Sequence, residues 1–296
     1  MTANQKLTGI LLMAGSMAVF ALLDGLGKQV MQHLPMFVAV FFRYAVALLL
    51  ALVVVWRAGG PALFSTQHPV LQALRGALLL ASTWLNFVAI SQLQLAQTAA
   101  ISFTIPLWVC ALSVPLLGEK VGLWRWSAVI AGFLGVLVIM RPGTMTFHWA
   151  MLFSLAATVC GALYNIVTRK VGGHDRAETS LFYVGLIGSL GAALPLGWHW
   201  QAPEGLEWLM LIVMGLCGGF GHYMLIQAHR LAPAAVLAPF IYTQIFWMII
   251  LGFIMFGDLP DQWTLIGAAI VIAAGLVVFA RERILGRESS VPVPVD

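Results

Sequence analysis

The sequence predicts an all-α integral membrane protein with ten transmembrane helices in two inverted-topology five-helix repeats. Three observations carry this prediction: a chain too apolar for water, a regular series of spans long enough to cross a bilayer, and a likeness between its two halves. Of its 296 residues, 61% are hydrophobic and 9% charged, and the mean hydropathy is +0.96. A soluble domain keeps about 25% charged residues to wet its surface, so lipid must be the solvent for most of this chain.

The first apolar run opens near Leu7 and continues to about Met31. That is too long for the apolar core of a cleavable signal, and it reads as a first span, 7–31. Charges, Gly-Pro pairs and polar clusters then delimit 35–57, 70–90, 95–117, 122–140, 148–170, 179–199, 207–229, 234–256 and 262–281. Each approaches the roughly 20 residues that a helix needs to cross the hydrocarbon core. The first repeat is expected over 7–143, the second over 148–281, and a polar cytoplasmic tail over 282–296.

The 15 Lys and Arg residues fit this series. With the N-terminus cytoplasmic, twelve of them, from Lys6 to Arg287, lie on the inner side. Lys28 and Arg141 lie on the outer side, and Arg43 lies within a span. This is the bias of the positive-inside rule, and it predicts a multi-pass inner-membrane protein, N-in and C-in. Topology therefore explains the net charge of +4, and no nucleic-acid partner is expected. Cys110, Cys160 and Cys217 lie in apolar runs without paired spacing, so neither a disulfide framework nor a zinc site is expected.

The halves repeat. Gly118-Glu119 after the fourth span corresponds to Gly257-Asp258 after the ninth, 139 residues later. Each is followed by a Trp-bearing start and an Ala/Gly/Val-rich helix, and Leu95-Ala96-Gln97-Thr98-Ala99 echoes Leu231-Ala232-Pro233-Ala234-Ala235. Five spans is an odd number, so the second copy enters from the opposite side. Inverted repeats of this kind are typical of secondary transporters, whose sites lie near the midplane between the halves.

These residues carry a family resemblance. The paired five-helix halves, the Gly-Glu and Gly-Asp turns, the Ala-Pro-Ala-Ala at 232–235 and the stretch 93–106 resemble the EamA branch of the drug/metabolite transporter superfamily. Asp258 stands where glutamate is more usual. The resemblance covers about residues 7–281 and implies a ten-helix carrier of small organic metabolites.

Ionisable groups inside spans are expensive unless paired or facing water. Arg43 lies deep in the second span, either as a cavity charge that attracts a carboxylate or phosphate, or as a clamp on helix-end carbonyls or a partner acid. Asp24 and Lys28 are four apart on the first span and share a face, so they either pair or leave Asp24 to bind a proton or a substrate ammonium as a coupling residue. Aromatic and amide side chains suggest a substrate-binding lining, some of them serving instead as helix glue. They are Trp84, Asn86 and Phe87 on span three, Tyr164 and Asn165 on span six, His222, Tyr223 and Gln227 on span eight, and Tyr242, Gln244 and Trp247 on span nine. Trp84, Tyr164 and Tyr242 are expected to share one central cavity. Pro106 and Pro239 are candidate hinges.

No HExxH, P-loop or Gly-x-Ser-x-Gly motif is present. No enzyme activity, metal or cofactor is expected, and the expected partners are a small-molecule substrate and the lipid bilayer. The leading expectation is export of amino acids, aromatic ones included, by alternating access. The alternatives are uptake of a cofactor or nucleoside-like metabolite, and a non-transporting membrane scaffold.

Overall fold

The computed structural model describes residues 3–58, 60, 64–118, 122–171 and 175–284. Among them the chain is helical, and nine helices are long and apolar enough to cross a membrane. The chain-order elements are α1 (Ala3–Val30), α2 (Met36–Ala58), α3 (Pro69–Gln92), α4 (Leu95–Ser102), α5 (Ile105–Leu117), α6 (Leu123–Met140), α7 (Ala150–Val171), α8 (Ala177–Ala193), α9 (Leu196–His199), α10 (Leu206–Leu231), α11 (Ala234–Ile241), α12 (Thr243–Phe256) and α13 (Gln262–Ile284). The seventh span, in addition to those nine, is α8, 17 residues long; Pro195 separates it from the short α9, so the expected single helix over 179–199 is two pieces. The helix α13 runs on to Ile284, beyond the expected start of the tail at 282.

Two spans are broken. The fourth is α4 and α5, joined at Phe103 and Thr104; the ninth is α11 and α12, joined at Tyr242. Neither proline marks its break. Pro106 lies in the first turn of α5, where its missing N–H would have had no helical partner, and Pro239 lies inside α11, three residues before the break. The breaks are instead sealed alike by hydroxyls: Thr104 Oγ1 donates to the Ile101 carbonyl and Thr243 Oγ1 to the Phe240 carbonyl, each over 2.7 Å.

The repeat is visible in packing. The helix α1 packs on α10 as α7 packs on α3; α1 meets α12 as α7 meets α5; α2 meets α10 as α8 meets α3. The pairs α2·α8 and α6·α13 join corresponding helices directly. Local chemistry repeats too. Gly118 and Gly257 end α5 and α12 with φ of 66° and 70°, the left-handed conformation that glycine adopts without strain. After Gly257 the Asp258 amide closes back on the Gly252 carbonyl at 3.1 Å. Glu119, the expected partner of Asp258 in the repeat, lies outside the described residues.

One large apolar core is shared by α1, α2, α3, α4, α8, α10 and α12, a second by α4–α7, α13 and the α11–α12 junction, and a smaller third by α1, α10 and α11. With an even number of spans, the start of α1 and the end of α13 lie at the same face of the bundle, called here the terminus end; the opposite face is the far end.

Candidate substrate site

Polar groups converge inside the first core. Arg43 lies seven residues into α2, roughly 11 Å along its axis. Its Nη1 donates to Thr83 Oγ1 at 2.6 Å, and Thr83 Oγ1 lies 2.7 Å from the Tyr44 hydroxyl. The guanidinium carbon sits 5.4 Å from the Tyr44 ring centroid and 5.7 Å from that of Phe87. One helical step along α3, Asn86 Nδ2 donates to Asp24 Oδ1 at 3.4 Å. Asp24 and His222 are both within electrostatic reach of Arg43. The His222 ring packs edge-on to Phe20 at 4.9 Å and bonds the Gly218 carbonyl at 2.9 Å.

Arg43, Tyr44, Ala47, Leu79 and His222, with residues of α8, line a cavity of about 30 Å³. That space holds a water or two, not a metabolite, so a substrate bound here requires the helices to part. Arg43 makes no ion pair with a described residue, its bonded partner being the neutral Thr83. Trp84 packs against the same core, and its enclosed Nε1 donates to no described group.

A second guanidinium was not anticipated from the sequence. Arg75 on α3 is 8% exposed. It donates from Nε to Thr168 Oγ1 at 2.8 Å, from Nη2 to the Tyr164 hydroxyl at 3.0 Å and from Nη1 to Gln72 Oε1 at 3.4 Å, and it lies 5.1 Å from the Tyr164 ring centroid. Gln72 Nε2 continues the network to Asp175 Oδ2 at 2.8 Å and Ser180 Oγ at 3.0 Å. Thr66 Oγ1 also donates to Asp175. Except for the Arg75–Gln72 contact, every bond here joins the first repeat to the second at the terminus end. A sequence signal existed: Gln72, Arg75, Ser82, Thr83 and Asn86 recur at helical spacing, a polar stripe along an otherwise apolar span.

The expected lining residues divide. Arg43, Trp84, Asn86, Phe87, Tyr164, His222 and Trp247 belong to or pack on the first core and its polar group. Asn165 and Tyr223 are exposed on the outside of the bundle. Neighbours on a helix point about 100° apart, so Tyr164 and His222 turn inward only by turning those two outward. Gln227 and Gln244 are half-buried and stand outside the hydrogen-bonded group. Tyr242 does not join Trp84 and Tyr164. Its ring packs edge-on to Phe103 at 4.9 Å in the second core, because five residues set it about 140° round the helix from Trp247. Lys28 does not pair with Asp24. It bonds Asp258 Oδ2 and the Leu93 carbonyl, each at 2.9 Å, at the far end.

Ten spans in inverted halves, with charged and aromatic side chains gathered between them, define a membrane transporter of small metabolites. The chain belongs to the EamA-like transporter family, whose model matches residues 7–141 and 148–280. It is 29% identical over 280 residues to an S-adenosylmethionine uptake transporter of Rickettsia prowazekii, covering 94% of each chain. It is 28% identical over 276 residues to a riboflavin transporter of Vibrio cholerae, covering 91% of this chain and 92% of that one. A crystal structure that is 17% identical superposes with a TM-score of 0.66 over 96% of this chain and 99% of that one, a likeness of fold. The family is one of transporters, not enzymes.

Proposed function

We propose that this carrier imports a cofactor-like zwitterion of the S-adenosylmethionine type across the inner membrane, with both termini cytoplasmic. The observation that carries the proposal is Arg43, a half-buried guanidinium deep in α2 whose bonded partner among the described residues is neutral Thr83, with the Asp24 carboxylate nearby and aromatic faces around it. A substrate carboxylate replaces Thr83 at Arg43 as a charge-assisted partner. Asp24 receives the substrate's ammonium or sulfonium, and Phe87, Trp84 and Tyr164 take up its ring, with Trp84 Nε1 as a free donor. A flat neutral ring system such as a flavin leaves Arg43 without an anion. A simple amino acid leaves the aromatic surface unused, so the expected amino-acid export gives way to uptake of a larger molecule, in line with the named relatives.

Uptake of labelled S-adenosylmethionine into proteoliposomes tests this, with riboflavin and tryptophan as competitors in excess. Concentrative or exchange uptake of S-adenosylmethionine, little affected by either competitor, is expected. Uptake blocked by tryptophan, or absent while riboflavin is carried, overturns it. Reporter fusions at the C-terminus and at Gly143 should lie on opposite sides of the membrane; reporters on the same side refute the orientation.

A further inference from the structure

The central cavity is too small for a metabolite, yet a larger space lies above it. At the far end a cleft of about 370 Å³ opens between the ends of α1 and α3 and the start of α7. That is the size of a small-molecule site. Lys28, Gln32, Ser91 and Gln92 contribute its polar groups, with Val88 and Trp149 among the apolar ones. Lys28 forms part of its wall and is also a tie between elements. Its ammonium holds the Asp258 carboxylate on the α12–α13 turn and the carbonyl ending α3, and lies 4.6 Å from the Phe256 ring centroid.

Below Lys28 the charges alternate inward. Asp24 lies one turn down α1, about 6 Å away; it meets Asn86 of α3, and one step further down α3, Thr83 holds Arg43. The sequence positive, negative, positive thus runs from cleft to core along α1 and α3.

We propose that this cleft is a vestibular binding site for the substrate's carboxylate, and that the Lys28–Asp258 pair is its inner gate. A carboxylate arriving in the cleft exchanges with Asp258 on the Lys28 ammonium, one anion replacing another. The exchange frees α1 from the α12–α13 turn and opens the way to Arg43. The side chains of Lys28 and Asp258 are 14% and 28% exposed, so a solute in the cleft can reach the pair, and exchange of one anion for another keeps the half-buried ammonium compensated throughout. A ligand shifts such an equilibrium only through its preference for one state; here the preference is for an ammonium that Asp258 has released. The inference rests on the proposed orientation for its direction and on the proposed zwitterion for its ligand, whereas the gate itself rests on neither.

The test uses the full chain in proteoliposomes with Cys110, Cys160 and Cys217 replaced by alanine. Ser91→Cys reports the cleft and Ala47→Cys reports the central cavity, both read by a membrane-impermeant maleimide. Without any ligand, Asp258→Asn should raise Ala47→Cys labelling several-fold, and the reversed pair Lys28→Asp with Asp258→Lys should bring it back towards the starting rate. S-adenosylmethionine, methionine and glutamate should protect Ser91→Cys better than their decarboxylated counterparts, and Lys28→Gln should abolish that difference. Unchanged Ala47→Cys labelling in Asp258→Asn overturns the gate. Equal protection by acids and decarboxylated counterparts overturns the carboxylate site. If glutamate or methionine protects and S-adenosylmethionine neither protects nor is carried, the vestibule stands and the proposed substrate falls. Size-exclusion profiles matching the parent show that each variant is folded.

Discussion

Phe103 and Tyr242 meet edge to face with ring centroids 4.9 Å apart, each at the break of its span. They are 139 residues apart in the chain, the same offset that relates Gly118 to Gly257. The two broken helices therefore touch where the repeats are related, and bending at one break presses on the other. The Tyr242 hydroxyl is buried without a described partner, in a slot that exists because residue 275 is glycine: a methyl group there would overlap the hydroxyl oxygen.

Gly275→Ala should accordingly destabilise the protein by about 1–3 kcal/mol, the usual penalty of overpacking, and Tyr242→Phe should rescue most of it by removing the overlapping oxygen. Tyr242→Phe alone should be neutral or slightly stabilising, since it deletes an unsatisfied buried polar atom. Thermal unfolding in detergent of the two single variants and the double variant checks this. Additive losses would show that the slot is not what holds Tyr242.

At the central site, Arg43→Ala should lower kcat/KM for uptake by roughly 100-fold, on the scale of losing a charge-assisted bond to the substrate. Arg43→Lys should recover only part, because lysine lacks the planar fork that grips a carboxylate. Thr83→Val should leave substrate affinity nearly intact, since toward Arg43 Thr83 only holds the place of the substrate, although the Tyr44 hydroxyl also loses its partner. Transport assays with a matched protein yield decide. A normal rate in a folded Arg43→Ala variant makes Arg43 a helix clamp.

Arg75 should behave differently. Its donors bind the second repeat through Tyr164 and Thr168, so Arg75→Met breaks a tie between halves rather than a contact to substrate. Loss of turnover with KM held within about threefold is expected, because an interaction that does not touch the bound ligand leaves ground-state binding alone. A large rise in KM instead would make Arg75 part of the substrate site.

The spans and both glycine turns were legible in the sequence because bilayer thickness and the left-handed cap impose local patterns. The position of Arg43 inside a span was legible as one that needs polar company, but its partner is the Thr83 hydroxyl and not the helix-end carbonyls or acid expected of a clamp. What escaped depends on distance in sequence or on helix phase. Lys28 has Asp24 one turn away but takes Asp258, 230 residues on. Arg75 lies close enough to a span end to pass for an ordinary cytoplasmic charge. The breaks fall two and three residues from the prolines, where a threonine closes the turn, a role that a hydroxyl in an apolar run does not advertise.

Acid should loosen the terminus end. Burial pushes the Asp175 carboxyl up, but hydrogen bonds from Thr66, Gln72 and the Gln67 amide outweigh it and hold the group below its ordinary value of 3.8. A carboxyl depressed in the folded state stabilises fully above its unfolded pKa and loses that contribution as pH falls through the folded one. Stability should therefore decline as pH drops below about 4, and Asp175→Asn should lower stability at neutral pH while flattening that acid limb. Unfolding followed from pH 7 to pH 3 in parent and variant measures the difference. Parallel curves would mean that Asp175 carries none of it.

The aromatic lining yields the sharpest contrast, because one of the three rings expected to share a cavity has gone elsewhere. Trp84 and Tyr164 pack on the first core beside Arg43 and Arg75, while Tyr242 is locked in the second. Truncating a ring that touches substrate removes apolar contact at about 25 cal/mol per Å², a loss that grows with the area the ligand lays against it. Trp84→Ala and Tyr164→Ala should therefore weaken binding of S-adenosylmethionine more than that of methionine, which shares its carboxylate end and lacks the nucleoside. Tyr242→Ala should lower protein stability and affect both ligands equally, since its ring reaches neither. Competition binding with the two ligands across the three variants separates the cases. Equal weakening of both ligands in all three would reduce Trp84 and Tyr164 to packing residues. Selective loss in Tyr242→Ala would mean that the second core, not the first, holds the substrate's ring.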